Sequence, residues 1–269
     1  MVLPVHDLNP VRRTPVVTYA LLAINIVVFL FSPVAATVTG SDGPAAQCAQ
    51  VAYLDHYAAK PAELTSNQPE DVVATGQAGT DDRGRAGCVA DEPGYVMPPV
   101  LSVLTAMFLH GGWAHLLGNM LFLYVFGNNV EDRLGRLRFL AFYLGCGYAA
   151  TYGFALADAS STTPLVGASG AIAGVLGAYL VLYPRARVWS LLTFFFFLPV
   201  RLPAWLVLGS WFVLQYVYFR GAGISDDGGG VAYLAHVIGF VLGALLVLPL
   251  RGSGADRRIA EPRFGPYTR

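Results

Sequence analysis

The sequence predicts an all-α polytopic membrane protein with six transmembrane helices and a long extracytoplasmic loop between the first two. Of its 269 residues, 55% are hydrophobic and only 13% are charged, against roughly 25% charged in a typical soluble domain. Six apolar runs approach the roughly 20 helical residues that cross a hydrocarbon core about 30 Å thick. Basic residues are concentrated in alternate loops between these runs. Together these observations argue against an ordinary soluble enzyme.

The apolar runs divide the chain into five segments. We expect a cytoplasmic N-terminus at 1–14, a first transmembrane helix at 15–31, an extracytoplasmic loop or small folded insertion at 32–98, a core containing helices two to six at 99–250, and a cytoplasmic tail at 251–269. The first run lacks a convincing small-residue cleavage site, which predicts a retained helix rather than a signal peptide. The apolar runs within the core are 113–130, 137–157, 165–183, 204–219 and 231–250.

Two further apolar segments are too short to cross the bilayer. Segment 188–200 has 13 residues and is flanked by Arg185, Arg187 and Arg201. This length favours an interfacial or re-entrant segment. Segment 100–109 is separated from the second helix by two glycines, which indicates a loop that dips into the membrane.

The distribution of basic residues predicts the orientation. Thirteen of the 17 lysines and arginines fall on one side of a six-span topology and four on the other, so the positive-inside rule puts both termini in the cytoplasm. If 188–200 crossed as a seventh helix, the arginine-rich tail would move outside and this bias would weaken. Because the 17 basic residues are balanced by 17 acidic ones, no global field attracts nucleic acid and no nucleic-acid partner is expected.

The three cysteines fit this orientation. Cys48 and Cys88 both fall in the outer loop, where an oxidising compartment would allow a disulfide bond. The spacing alone does not decide whether they pair. Cys146 lies within the third predicted helix and is most simply a small packing residue.

Polar groups inside a membrane are costly and therefore mark functional candidates. None of the 17 carboxylates falls within a predicted span, which excludes an intramembrane aspartyl protease. The absence of a His-Glu-x-x-His motif argues against a zinc metalloprotease of the usual helical type, and we expect neither metal nor cofactor. The remaining polar candidates all map near the outer ends of helices two, four and six: His110, His115, Asn119, Ser169 and His236.

Two of these candidates form the minimum constellation for an activated serine. Glycines line the fourth and sixth helices, and small residues at such spacings let membrane helices approach closely. A close contact would bring the Ser169 hydroxyl within hydrogen-bonding reach of His236, which could take its proton. His115, Asn119 and the Ser169 backbone N–H are the available oxyanion donors. No acid is placed to orient His236, so we expect a dyad.

Each residue also has a purely structural interpretation. A serine in a helix rich in glycine and alanine usually serves only packing, and a lone histidine at a helix end is often an interface anchor. Asn119 could simply link two helices by a hydrogen bond. The coincidence of five polar residues at one depth on three helices favours catalysis.

These residues resemble the motifs of the rhomboid intramembrane serine proteases. The resemblance rests on 167–170 (Gly-Ala-Ser-Gly), on 235–243 (Ala-His-x-x-Gly-Phe-x-x-Gly), and on His115-x-x-x-Asn119 upstream. Segments 108–115 and 130–135 also look like the family's pattern before and after its second helix. The match covers roughly 99–250, with the first helix fitting by position.

The resemblance implies a six-helix rhomboid-like bundle in the plasma membrane, bacterial in type, whose active site opens to the extracytoplasmic side. It implies that the enzyme cuts single-span or polytopic membrane-protein substrates near that face, with Ser169 as nucleophile and His236 as base. His115, Asn119 and the Ser169 backbone would form the oxyanion hole. Segment 221–231 would be a mobile cap and the fifth helix a lateral gate. The supporting residues would be His110, Gly167, Gly170, Glu131, Arg133, Gly239 and Gly243.

Two departures from the family pattern stand out. Some members stack an aromatic residue on the histidine from four positions after the nucleophile, where this chain has Ala173, so the imidazole must be held otherwise. The long outer loop, with Cys48 and Cys88, is larger than in minimal members and could restrict or recruit substrate.

Two other functions compete with proteolysis. A catalytically silent relative would bind membrane helices without cutting them, and loss of Ser169 or His236 would mark it. A transporter or metal-handling protein would use the histidines, but it should show paired broken helices or intramembrane charges. Sensitivity to chelators would reveal a metal role.

Overall fold

The computed structural model describes residues 2–38, 43–69, 72–80, 84–92, 97–193, 196–222 and 232–250. Its helices are α1 (Val16–Leu30), α2 (Pro33–Val38), α3 (Pro44–Tyr57), α4 (Pro61–Ser66), α5 (Pro99–Ala106), α6 (Trp113–Leu134), α7 (Arg136–Ala157), α8 (Ser169–Leu182), α9 (Ala204–Ala222) and α10 (Tyr233–Val247). Its strands are β1 (Val2–Asp7), β2 (Val73–Thr80), β3 (Ala86–Asp91), β4 (Arg187–Leu192) and β5 (Leu198–Pro203). The predicted tail at 251–269 lies outside the described residues.

Each of the six apolar runs coincides with one helix: α1, α6, α7, α8, α9 or α10. By length and composition, Arg136–Ala157 and Tyr233–Leu250 could each cross a membrane, whereas α1 and α8 are apolar but shorter. The six-span topology stays a prediction. Segment 100–109 is largely the short helix α5.

Helix α8 lies at the centre of the bundle and is buried along almost its whole length. Its contact with α10 is possible because glycine occupies both sides. A Cβ atom at Gly243 would overlap the backbone of Gly174, and one at Gly177 would overlap the carbonyl of Phe240. The helix backbones therefore touch directly, which is the packing that small residues permit.

The structure is mostly helical, but the expectation of an all-α protein is wrong in detail, because two small sheets are present. Segment 188–200 contributes to the antiparallel hairpin of β4 and β5, and β1 pairs with β4 on the other side. Val188 and Ser190 are fully buried while Arg187 is exposed, the alternation of a strand with one face covered. Phe194 and Phe195 lie outside the described residues.

The N-terminal sheet is tied to the helices through polar contacts on α6. The buried Asp7 carboxylate accepts a hydrogen bond from Asn129 Nδ2 at 2.6 Å. Glu131 accepts hydrogen bonds from the backbone N–H groups of Val17 and Thr18 and from the Thr18 hydroxyl, at 2.7–3.0 Å. These bonds satisfy donors at the start of α1 that have no partner within the helix.

Arg133, also on α6, forms a similar hydrogen bond to the segment that follows α10. Its Nη2 donates to the carbonyl oxygen of Leu250 at 2.8 Å. Helix α6 therefore holds both the first and the last of the long helices through side chains near its C-terminus.

The predicted outer loop is a folded insertion built from α2, α3, α4 and the β2–β3 hairpin. A disulfide bond joins Cys48 on α3 to Cys88 on β3. Lys60 is completely buried and forms ion pairs with Asp55 and Glu63, which is how a buried charge is normally accommodated.

The insertion is bonded to the chain segment that precedes α8. Ala59 and Leu165 exchange two backbone hydrogen bonds of 2.7 and 3.2 Å. The Ala62 N–H also donates to the carbonyl of Ser161 at 2.9 Å. The insertion thus supports the loop that leads into α8.

Candidate functional site

Ser169 is the first residue of α8. The preceding chain cannot be helical because Gly167 has φ +119°, a conformation that favours glycine. The Gly167 N–H donates to the carbonyl of Ala106 at 2.9 Å, which fixes this turn against α5. As the first residue of its helix, Ser169 also has a backbone N–H with no intrahelical acceptor.

His236 is the fourth residue of α10 and is buried. The residues next to Ser169 and His236 are in contact: a Cβ atom at Gly170 would lie 3.9 Å from the carbonyl oxygen of Ala235. A Cβ atom at Gly239 would overlap the carbonyl oxygen of Gly170. The glycines predicted from the sequence therefore meet where α8 and α10 carry the two candidates.

His115 reaches the same place from α6. The missing Cβ atom of Gly167 would lie 2.8 Å from both Cε1 and Nε2 of His115, and 3.6 Å from the Ser169 hydroxyl oxygen. Any side chain at position 167 would occupy the space that His115 uses. Gly167, His115 and Ser169 thus surround one small volume.

Asn119 lies one turn further along α6 and is largely buried. Its Nδ2 donates to the carbonyl oxygen of His115 at 3.0 Å, and an amide group carries two N–H donors.

His110 packs beside the site rather than within it. It lies between α5 and α6, is 2% exposed, and its ring centroid is 5.1 Å from that of His115. Burial lowers the pKa of His110 to about 3, with a smaller contribution from His115. The ring is therefore neutral near pH 7, as a buried histidine without an acidic partner should be.

Sequence reasoning missed Gln215. Its Oε1 lies 2.7 Å from Nδ1 of His236, and the Trp211 ring is 5.9 Å away from the imidazole between centroids. Both residues come from α9. The signal was present in the sequence, since Gln215 is a polar residue inside the apolar run 204–219, but an amide in such a run most simply links two helices by a hydrogen bond.

Two further expectations concern the surroundings. Among the described residues, no group of three or more His, Cys, Asp or Glu side chains could hold a metal ion. The predicted cap at 221–231 lies mostly outside the described residues, which resume at 232.

The apolar helices α8 and α10 meet through glycines, and Ser169 and His236 lie beside these glycines. Such packing is typical of helical membrane proteins. Comparison with known families is consistent with this class. A model of the Rhomboid domain matches residues 99–253, which is more than half of the chain. The chain belongs to the rhomboid family.

Several curated proteins are similar to this chain. Rhomboid protein 1, mitochondrial, of Saccharomyces cerevisiae is 32% identical over 150 residues, covering 54% of this chain and 40% of the relative. The putative rhomboid protease YdcA of Bacillus subtilis is 40% identical over 82 residues, covering 29% of this chain and 39% of the relative. Rhomboid protease GluP of the same organism is 32% identical over 162 residues, or 59% and 28% of the two chains. The chain thus spans less than half the length of these relatives.

Proposed function

We propose that this protein is an intramembrane serine endopeptidase that cleaves transmembrane helices of other membrane proteins near the extracytoplasmic face. The observation that carries the proposal is the direct backbone contact between Gly170 and the Ala235–Gly239 turn of α10, since these residues flank Ser169 and His236. The protease-named relatives support the same reaction class. The proposed setting is the plasma membrane, with both termini in the cytoplasm.

In the proposed reaction, the Ser169 hydroxyl oxygen attacks the carbonyl carbon of the scissile peptide bond while His236 Nε2 takes the hydroxyl proton. Collapse of the tetrahedral intermediate breaks the C–N bond, and His236 returns the proton to the leaving amine. A water molecule then attacks the acyl-enzyme carbonyl, again giving a proton to His236. Collapse of this second tetrahedral intermediate breaks the bond between the carbonyl carbon and the Ser169 oxygen, and His236 returns its proton to that oxygen, which releases the acid and restores the serine.

The oxyanion that forms in each attack needs hydrogen-bond donors already in position. The Ser169 backbone N–H, the Asn119 amide and the His115 imidazole are the proposed donors. For His115, the closeness of its Nε2 to the Gly167 turn supports this role. Gly167 would be required because a Cβ atom there would displace the imidazole.

Supporting residues would act through packing and helix ends. Gly170, Gly239 and Gly243 would keep α8 and α10 in contact, and His110 would pack against His115. At the opposite end of α6, Glu131 and Arg133 would hold α1 and α10.

Cleavage of a model single-span substrate by the purified protein in lipid tests the proposal. Ser169→Ala and His236→Ala should each abolish cleavage, while a chelator should have no effect. If the wild type cuts nothing across a varied substrate panel but still binds membrane helices, the silent-relative alternative replaces the protease. Loss of activity on chelation would instead favour a metal-dependent function.

A further inference from the structure

The hairpin of β4 and β5 has an uncovered apolar tip. Phe196 is 99% exposed, Phe197 59% and Leu198 51%. Both phenylalanines have positive φ, at 50° and 60°, a region where bulky residues are rare. The tip therefore presents aromatic side chains at positions where a turn would be expected to use glycine or asparagine.

The base of the same hairpin is basic. Cross-strand pairing sets Trp189 opposite Arg201 and Arg187 opposite Pro203, so these four residues share one face of the sheet. Both arginines are exposed, and the Arg201 guanidinium lies over the Trp189 ring at 4.4 Å. The opposite face, with Val188, packs into the protein core.

Charge complementarity identifies what this surface meets. The sequence contains no aspartate or glutamate from 184 to 204, whereas Arg185, Arg187 and Arg201 fall in that stretch. An apolar tip suits the acyl chains of a bilayer, and tryptophan suits the interface between the acyl chains and the headgroups. The arginines at the base of the hairpin would then lie at the level of the headgroups. Arginine at that depth favours anionic phosphate groups.

We propose that the β4–β5 hairpin inserts its tip into the cytoplasmic leaflet and that its arginines bind anionic phospholipid headgroups. β5 ends at Pro203 and α9 begins at Ala204, so the bound hairpin anchors the start of α9 at a fixed depth. This lipid interaction is independent of the proposed peptidase chemistry.

A fluorescent probe attached at Phe196→Cys tests the insertion in the full-length protein. Cys146 is completely buried and Cys48 is bonded to Cys88, so the added thiol should be the reactive one. In nanodiscs of phosphatidylcholine containing phosphatidylglycerol, the probe emission should shift to the blue, and lipids with brominated acyl chains should quench it. A probe at Leu8→Cys, exposed beside the base of the same sheet, is the matched position and should be quenched much less.

The arginines are tested by the double variant Arg187→Gln/Arg201→Gln. Its preference for phosphatidylglycerol over phosphatidylcholine should fall about thirtyfold, or about fivefold per arginine. The variant Arg136→Gln/Arg138→Gln removes the same charge from the start of α7 and should reduce the preference much less. If the Phe196 probe stays as water-exposed as the Leu8 probe in every lipid, or if both double variants behave alike, the proposal is overturned.

A separate observation concerns how His236 is held, and it rests on the proposed peptidase function. Gln215 Oε1 lies 2.7 Å from His236 Nδ1. An amide oxygen can only accept, so a hydrogen bond there requires Nδ1 to carry the proton. The Nε2 lone pair is then free to accept the serine proton.

We infer that Gln215 is the positioning residue that replaces both a triad acid and the aromatic stacking lost at Ala173. It fixes the tautomer and the orientation of the imidazole without adding a charge. Because Gln215 is on α9 and His236 on α10, displacement of α9 would break this hydrogen bond and release the base. The imidazole would therefore be best oriented for the reaction while α9 is packed against α10.

The test compares Gln215→Met, which keeps the size but removes the acceptor, with Gln215→Glu, which keeps an acceptor. Gln215→Met should lower kcat about tenfold to hundredfold with KM unchanged, the effect of losing one hydrogen bond to a buried group. Gln215→Glu should restore most of kcat and move the acid limb of the pH–activity profile to higher pH, because a carboxylate stabilises the imidazolium. Val213→Met, at a 57% exposed position on the same helix, should match the wild type.

The outcomes separate the inference from the function on which it rests. If Ser169→Ala cleaves as fast as the wild type, the peptidase proposal fails. If Ser169→Ala is inactive but Gln215→Met retains wild-type kcat and an unchanged pH profile, only the positioning role of Gln215 fails.

Discussion

Gly239→Ala should separate the two helices that carry the proposed dyad. The Cβ atom added at position 239 would overlap the carbonyl oxygen of Gly170, which belongs to backbone and cannot rotate away. Because real contacts to Cβ atoms are essentially never shorter than 3.0 Å, α8 and α10 would have to move apart by about 1 Å.

This displacement sets the expected magnitudes. A misplacement of about 1 Å between reacting groups costs roughly a hundredfold in rate. Overpacking of a tight interface costs ~1–3 kcal/mol of stability. Gly239→Ala should therefore lose about 99% of kcat while the protein still folds with a lower melting temperature.

The assay combines cleavage of a single-span substrate in liposomes with thermal unfolding followed by circular dichroism in detergent. Gly145→Ala in α7 is the matched control, since a Cβ atom there meets nothing within 4 Å. The control should keep full activity and gain up to ~1 kcal/mol from helix propensity. Wild-type cleavage by Gly239→Ala at an unchanged melting temperature would refute the close contact of α8 and α10.

Three further predictions concern stability. Burial raises the pKa of Asp7 from 3.8 to about 6, so the stabilisation that is fully present below pH 3.8 is lost as the pH rises through 6. The effect of Asp7→Asn on the free energy of unfolding should therefore be more favourable at pH 7 than at about pH 3 by up to about 3 kcal/mol, and equal effects at both pH values would contradict this cause. Glu131→Gln weakens the hydrogen bonds to the start of α1 and should cost ~1–3 kcal/mol, and an unchanged melting temperature would count against the capping role. Reduction of the Cys48–Cys88 bond, which closes a loop of 40 residues, should destabilise the insertion by about 4 kcal/mol and speed its proteolysis; an unchanged digestion rate would show that the insertion holds without it.

The helices could be predicted because their apolar runs are long and local. The α8–α10 contact could also be predicted, since glycines such as Gly170, Gly239 and Gly243 have few other uses in apolar helices. Ser169 and His236 followed from the cost of polar groups in a membrane.

The sheets escaped prediction because their order depends on distant pairing. β1 contains Pro4 and a register shift between Pro4 and His6, and its partner β4 is about 180 residues away in sequence. The period of two in 188–200 was short and partly hidden by the run of phenylalanines. The sequence of Val2–Asp7 by itself does not predict a strand that pairs with β4.

Gln215 was missed for a different reason. An amide in an apolar helix is usually a link between helices, and only its pairing with His236 gives it a role in the site. The folded structure of the insertion likewise depends on contacts between residues far apart in the sequence, such as Ala59 with Leu165. A local sequence pattern does not predict such contacts.

The most direct test of the account is covalent trapping of the proposed nucleophile. The protein in lipid would be treated with a fluorophosphonate and its tryptic peptides analysed by mass spectrometry. We predict one adduct, on Ser169, formed by the wild type and lost in His236→Ala. Labelling that is absent from Ser169, or that persists at the wild-type rate without His236, would contradict the Ser169–His236 dyad.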